Sequence, residues 1–73
     1  MNEQQLFIRI GSNIKELREE RKMTQQELAA RCNMEKSNIS RIEAGRTNLT
    51  ARSAWKISQV LGVKLSALFE VDF

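Results

Sequence analysis

Two cationic donors, Lys36 and Arg41, and two hydroxyls, Ser37 and Ser40, lie within one short stretch of the sequence. If that stretch is helical, 100° per residue sets Lys36 at 0°, Ser40 near 40°, Ala44 near 80°, Ser37 near 100° and Arg41 near 140°, with Ile42 at about 240° and Ile39 at about 300°. A face of donors and hydroxyls with one methyl and no carboxylate suits the edges of base pairs in a DNA major groove. Arginine pairs bidentately with guanine, lysine with guanine or a phosphate, and serine with either kind of edge. Asn38 stands at the rim of this arc. Just ahead of it, Glu35 has two readings: it caps the helix, or it accepts from a cytosine amino group. The face as a whole also fits an ordinary solvated helix, so composition alone leaves both readings open.

The charge distribution supports a polyanion partner. The net charge is +3. Residues 36 to 56 hold five basic groups against Glu43 alone, and the segments on either side nearly cancel. A basic third between neutral flanks gives a localised positive field. With one cysteine, Cys32, and no histidine, the chain has neither an internal disulfide nor a set of zinc ligands. It also lacks the side chain most used for proton transfer near neutral pH. The reading therefore expects no catalysis, metal or cofactor. Seventy-three residues suit one small domain, 1–73, well below the usual size of about 100–150. The opening residues lack the basic flank and apolar run of a signal peptide, and no apolar run approaches the ~20 residues of a membrane span. A cytoplasmic protein without a membrane partner is expected.

The elements that must hold the polar face follow from periodicity and caps. Leu6, Phe7, Ile10, Ile14 and Leu17 fall within roughly 100° of arc on a first helix that ends near Lys22. Thr24-Gln25-Gln26-Glu27 is a capping box that opens a second helix, with Leu28, Ala29 and Cys32 inward. Asn33 is suited to a left-handed stop, and residues 33 to 35 form a turn. A third helix runs from about Lys36 to Ala44, and Gly45 ends it. A fourth spans about Thr50 to Leu61, with Ala51, Ala54, Ile57, Ser58 and Leu61 on one face, and Gly62 ends it. Leu65, Leu68 and Phe69 mark a short fifth. The expected fold is all-α with five helices and a helix-turn-helix at about residues 25–44.

The pattern Leu17-Arg18-x-x-Arg21-x-Met23-Thr24-Gln25-x-x-Leu28-Ala29, followed by Ile39-Ser40-Arg41-Ile42-Glu43-x-Gly45-Arg46, resembles the phage-repressor and Cro-type helix-turn-helix domains of the XRE family. The likeness continues through Leu61-Gly62-Val63-x-Leu65-x-x-Leu68-Phe69 and covers residues 6 to 69. The 46–50 connection is similar to that of restriction-modification controller proteins. The resemblance implies a compact phage repressor-like fold that binds double-stranded operator DNA as a homodimer, with the third helix in the major groove. It implies a phosphate contact for Gln25, contacts to base edges or nearby phosphates for Gln26, Lys36, Ser37, Ser40 and Arg41, and a backbone grip for Arg46, Thr47 and Asn48. It also implies a structural ion pair between Arg18 and Glu43. Lys22 and Asn33 depart from the family by standing where glycine is common, and Leu49 replaces a frequent proline.

Three further expectations concern packing. Arg21 should pack its stem and leave its guanidinium in water. Trp55, near 40° on a helix-four scale that starts at Ala51, should pack beside the core or make a dimer contact. Leu65, Leu68, Phe69, Val71 and Phe73 are either a dimer interface or a segment folded back on the domain. The rival to a DNA regulator is an antitoxin-like module whose main partner is a protein.

Overall fold

Five helices follow one another in the computed structural model, which describes residues 1–72: α1 (Glu3–Glu20), α2 (Gln25–Cys32), α3 (Lys36–Glu43), α4 (Ala51–Leu61) and α5 (Leu65–Leu68). No strand occurs among the described residues.

Caps set most of the boundaries. The Asn2 side chain accepts from the Gln5 backbone N–H at 2.8 Å, and the Asn2 backbone N–H donates to Gln5 Oε1 at 3.0 Å. α1 thus begins ahead of its first apolar residue, earlier than periodicity alone suggests. At the expected capping box, Thr24 Oγ1 accepts from Glu27 N (3.0 Å) and Glu27 Oε1 accepts from Thr24 N (3.1 Å). α2 closes on Asn33 in the left-handed conformation, and α4 closes on Gly62. α1 stops at Glu20 rather than Lys22, and Lys22 itself takes φ +55°. Glu35 is the residue before α3, but its side chain makes no capping bond. It has one methylene more than the short side chains that fold back onto a first turn.

Ile14, Leu28, Ile39, Ile57 and Leu68 are fully buried at the centre, one from each helix in turn. Burying each is worth about 1.5–3 kcal/mol relative to leaving it in water. Ile10, Met23, Ala29, Cys32, Ile42, Ala54 and Leu61 complete the core. Ala51, expected on the inner face of α4, is exposed because it sits in the first turn, beyond the reach of the core. Gly11 lets α1 cross the end of α3 backbone to backbone: a Cβ there would overlap the carbonyl oxygens of Ile42 and Glu43.

Two polar side chains fasten distant segments. Asn13 Nδ2 donates to the carbonyls of Leu68 (3.1 Å) and Glu70 (2.8 Å). Arg21, expected in water, instead donates from Nε to the carbonyl of Leu61 and from Nη1 to that of Leu17. Its guanidinium supplies donors to an orphan carbonyl at the end of α4.

Candidate nucleic-acid interface

α3 separates two chemistries. Its back places Ile39 and Ile42 in the core, and its front leaves Lys36, Ser37, Ser40 and Arg41 exposed, with Asn38 half-buried at the rim. Neither Lys36 nor Arg41 forms an ion pair among the described residues. Glu43, the one carboxylate within α3, is turned inward and is 8 % exposed.

A buried network holds Glu43 there. Arg18 Nε lies 2.7 Å from Glu43 Oε2, and Arg18 Nη2 donates to Oε1 at 3.1 Å. Arg18 Nη1 donates to the Met23 carbonyl at 2.6 Å, so the α1–α2 turn joins the same unit. The hydrogen bond to Glu43 raises the guanidinium pKa further above its ordinary value, against the opposing effect of burial. The pairing is therefore bidentate and fork-like, the geometry that suits arginine best.

Gln25 belongs to this network. Its Nε2 donates to Glu43 Oε1 at 3.0 Å from the first position of α2. The amide thus already has a protein partner, which the resemblance did not signal, and its second N–H is left over. Gln26, the next residue, is exposed.

The loop after α3 departs at a sharp angle. Gly45 takes φ +72°, the Arg46 N–H donates to the Arg41 carbonyl at 2.9 Å, and a Cβ at Gly45 would run into the backbone of Ile8. Only glycine combines that backbone conformation with that closeness. Arg46 and Asn48 project outward beyond it, and Thr47 is half-buried.

The C-terminal residues divide. Leu68 is 0 % exposed and belongs to the core, so it cannot make a direct contact with a second chain in this conformation. Val71 is half-buried against the core. Leu65 and Phe69 each stand 40 % exposed, and Phe73 lies outside the described residues. Leu6, Phe7, Ile10, Leu49, Phe69 and Val71 are among the residues lining an apolar hollow of about 330 Å³. Trp55, expected to pack beside the core or to make a dimer contact, is 55 % exposed.

Burial pushes the Cys32 thiol above its ordinary pKa, which suits inert packing. Among the described residues no group of His, Cys, Asp or Glu side chains is arranged to hold a metal ion, and no helix is long and apolar enough to cross a membrane.

Comparison with known proteins agrees with this arrangement. The family model described as helix-turn-helix matches residues 14–68. The control protein C.MunI of Mycoplasma sp is 38 % identical over 63 residues, covering 85 % of this chain and 85 % of its own. The immunity repressor protein of Bacillus phage phi105 is 36 % identical over 59 residues, covering 81 % of this chain and 41 % of its own. In three dimensions the chain is similar to the restriction-modification controller protein C.AhdI of Aeromonas hydrophila, with a TM-score of 0.84 at 24 % identity over 86 % of this chain and 96 % of that one. The chain belongs to the helix-turn-helix family of DNA-binding transcriptional regulators, in its XRE branch.

Proposed function

We propose that the chain is a cytoplasmic regulator that binds a two-part operator as a homodimer, inserting α3 into the major groove of each half-site. One observation carries this reading: the only acid in α3 is drawn inward by Arg18, so the outward face offers donors and hydroxyls alone. Arg41 pairs with a guanine, while Lys36, Ser37, Ser40 and Gln26 reach base edges or nearby phosphates, with Asn38 at the margin. Arg46, Thr47 and Asn48 grip the phosphate backbone. Gln25 holds Glu43 with one amide hydrogen and offers the other to a phosphate at the start of α2, where free backbone N–H groups add to the attraction.

A single short helix makes few base contacts. Two-fold pairing sets the third helices of two copies about 34 Å apart, one turn of the duplex. The exposed Leu65 and Phe69, together with the apolar hollow beside Phe69, supply a surface for that pairing.

The test is selection of bound fragments from random duplexes by the parent chain and by Arg41→Ala. The parent should recover a sequence with two related halves. Arg41→Ala should lose discrimination at one base pair in each half, by about 1–3 kcal/mol. An equal loss on every sequence would assign Arg41 to phosphate alone. Recovery of no preferred sequence by the parent would overturn the reading.

A further inference from the structure

Trp55 is the chain's single tryptophan, and more than half of it is open to solvent on α4. The local chain path explains why. α2 packs alongside α4 but ends at Cys32, and Asn33 in its left-handed conformation turns the backbone away toward α3. That flank of α4 is left without a neighbour beyond the end of α2. An open hollow of about 350 Å³ results, bordered by Arg31, Asn33, Trp55, Lys56, Gln59 and Val60 and touching the buried Cys32.

Its chemistry is one-sided. No carboxylate lines the hollow, and neither Arg31 nor Lys56 has an ion-pair partner among the described residues. None of the residues offered above as DNA contacts borders it. An exposed indole beside aliphatic surface, ringed by cations and side-chain amides, has the makeup of an interface anchor.

We propose that this hollow docks an acidic segment of another protein that carries one large apolar side chain. The apolar group lies against Trp55 and Val60, the carboxylates face Arg31 and Lys56, and the amides of Asn33 and Gln59 meet the segment's backbone. Charge complementarity selects this occupant over a second copy of the chain. A closed two-fold pairing of this hollow with itself would set two cationic patches, each with Arg31 and Lys56 and no carboxylate, face to face. Pairing with the acidic Glu16, Glu19 and Glu20 of another copy would join unlike surfaces head to tail, giving a ring or an open filament rather than the two-fold dimer proposed above. A nucleic-acid strand is disfavoured because its backbone needs a row of cations, and here two flank a single indole. The inference is independent of the DNA reading.

Because the chain has one tryptophan and no tyrosine, Trp55 emission reports on the hollow directly. The experiment screens a library of random short peptides against the immobilised full chain and then titrates the recovered peptides while following that emission. Recovered peptides should share several Asp or Glu around one Leu, Phe or Trp replaced by a non-fluorescent analogue for the titration, and should shift Trp55 emission to the blue in a saturable way. Arg31→Gln with Lys56→Gln should weaken their binding roughly tenfold. Trp55→Ala, a change at an exposed position, should abolish peptide capture while leaving duplex binding unchanged, which separates failure here from failure of the DNA reading. Four results would overturn the proposal: no peptide recovered above background; a neutral or basic consensus; a single-stranded oligonucleotide that produces the same emission shift and displaces the peptides; or a Trp55→Ala chain that sediments as a monomer where the parent is a dimer.

Discussion

The α2–α3 corner and the segment after α4 are held by different means. At the corner, side chains from α1 and α2 converge on Glu43 of α3, the Thr24–Glu27 box fixes the start of α2, and Gly11 brings the α1 and α3 backbones into direct apposition. The segment from Leu65 onward relies on one fully buried side chain, Leu68, on the half-buried Val71, on two hydrogen bonds from Asn13 and on an exposed Arg9–Asp72 ion pair at 3.9 Å, while Leu65 and Phe69 remain open. The first region is over-determined and polar at its heart. The second is tethered at few points and apolar outside. On the proposed reading, the contrast suits a corner that presents side chains to DNA in fixed positions and a terminal segment that adapts to a second copy.

The largest expected effect comes from breaking the corner. Glu43→Ala strands a guanidinium whose side chain is 9 % exposed, which should cost about 3–5 kcal/mol in urea unfolding, a large share of a small domain's stability. Replacing both partners, Arg18→Met with Glu43→Leu, should recover most of that loss, since the penalty lies in the unpaired charge rather than in the absence of the pair. At the other region, Asn13→Ala should cost about 1–2 kcal/mol for two hydrogen bonds. The loss should be local: amide hydrogen exchange should quicken over residues 65–72 and stay slow in α2 and α3. Equal acceleration everywhere would erase the distinction between the two regions.

Two smaller effects sharpen the picture of the corner. Lys22→Gly removes the strain of a left-handed lysine but adds freedom to the unfolded chain, so a net gain of about 0.5 kcal/mol is expected, read as a small rise in Tm. The smallest effect is at Glu27, whose carboxylate the Thr24 backbone N–H and then the Thr24 hydroxyl hold below its usual pKa. A depressed folded-state pKa contributes stability that is present above the unfolded value and is lost as pH falls through the folded one. Unfolding measured across the acid range should show that loss in the parent, and Glu27→Gln should flatten it.

Much of the fold was legible because its signals are local. The Thr24-x-x-Glu27 spacing, glycines at 45 and 62, and isoleucines opposite Lys36 and Arg41 each act within a turn or two of chain. What escaped depends on partners far away in sequence. Arg21 answers a carboxyl-terminal carbonyl of α4, Asn13 answers the far end of the chain, and nothing around Gly11 announces which element crosses it. The exposure of Trp55 has a related cause. Its angle on α4 lies at the border, and whether a border position is covered depends on how far the neighbouring helix extends, which α4's own sequence does not record. Leu68 and Leu65 share one apolar spacing, and only the packing separates the buried residue from the open one.

The backbone contact that Gly11 permits also bears on how a duplex would be accommodated. With the carbonyls of Ile42 and Glu43 seated on α1 without an intervening side chain, the end of the reading helix has no cushion along which to slide or tilt. On the proposed reading, imperfect spacing between half-sites is then absorbed by bending or twisting the double helix. Steps in the operator that nothing touches would acquire a say in affinity through their stiffness alone.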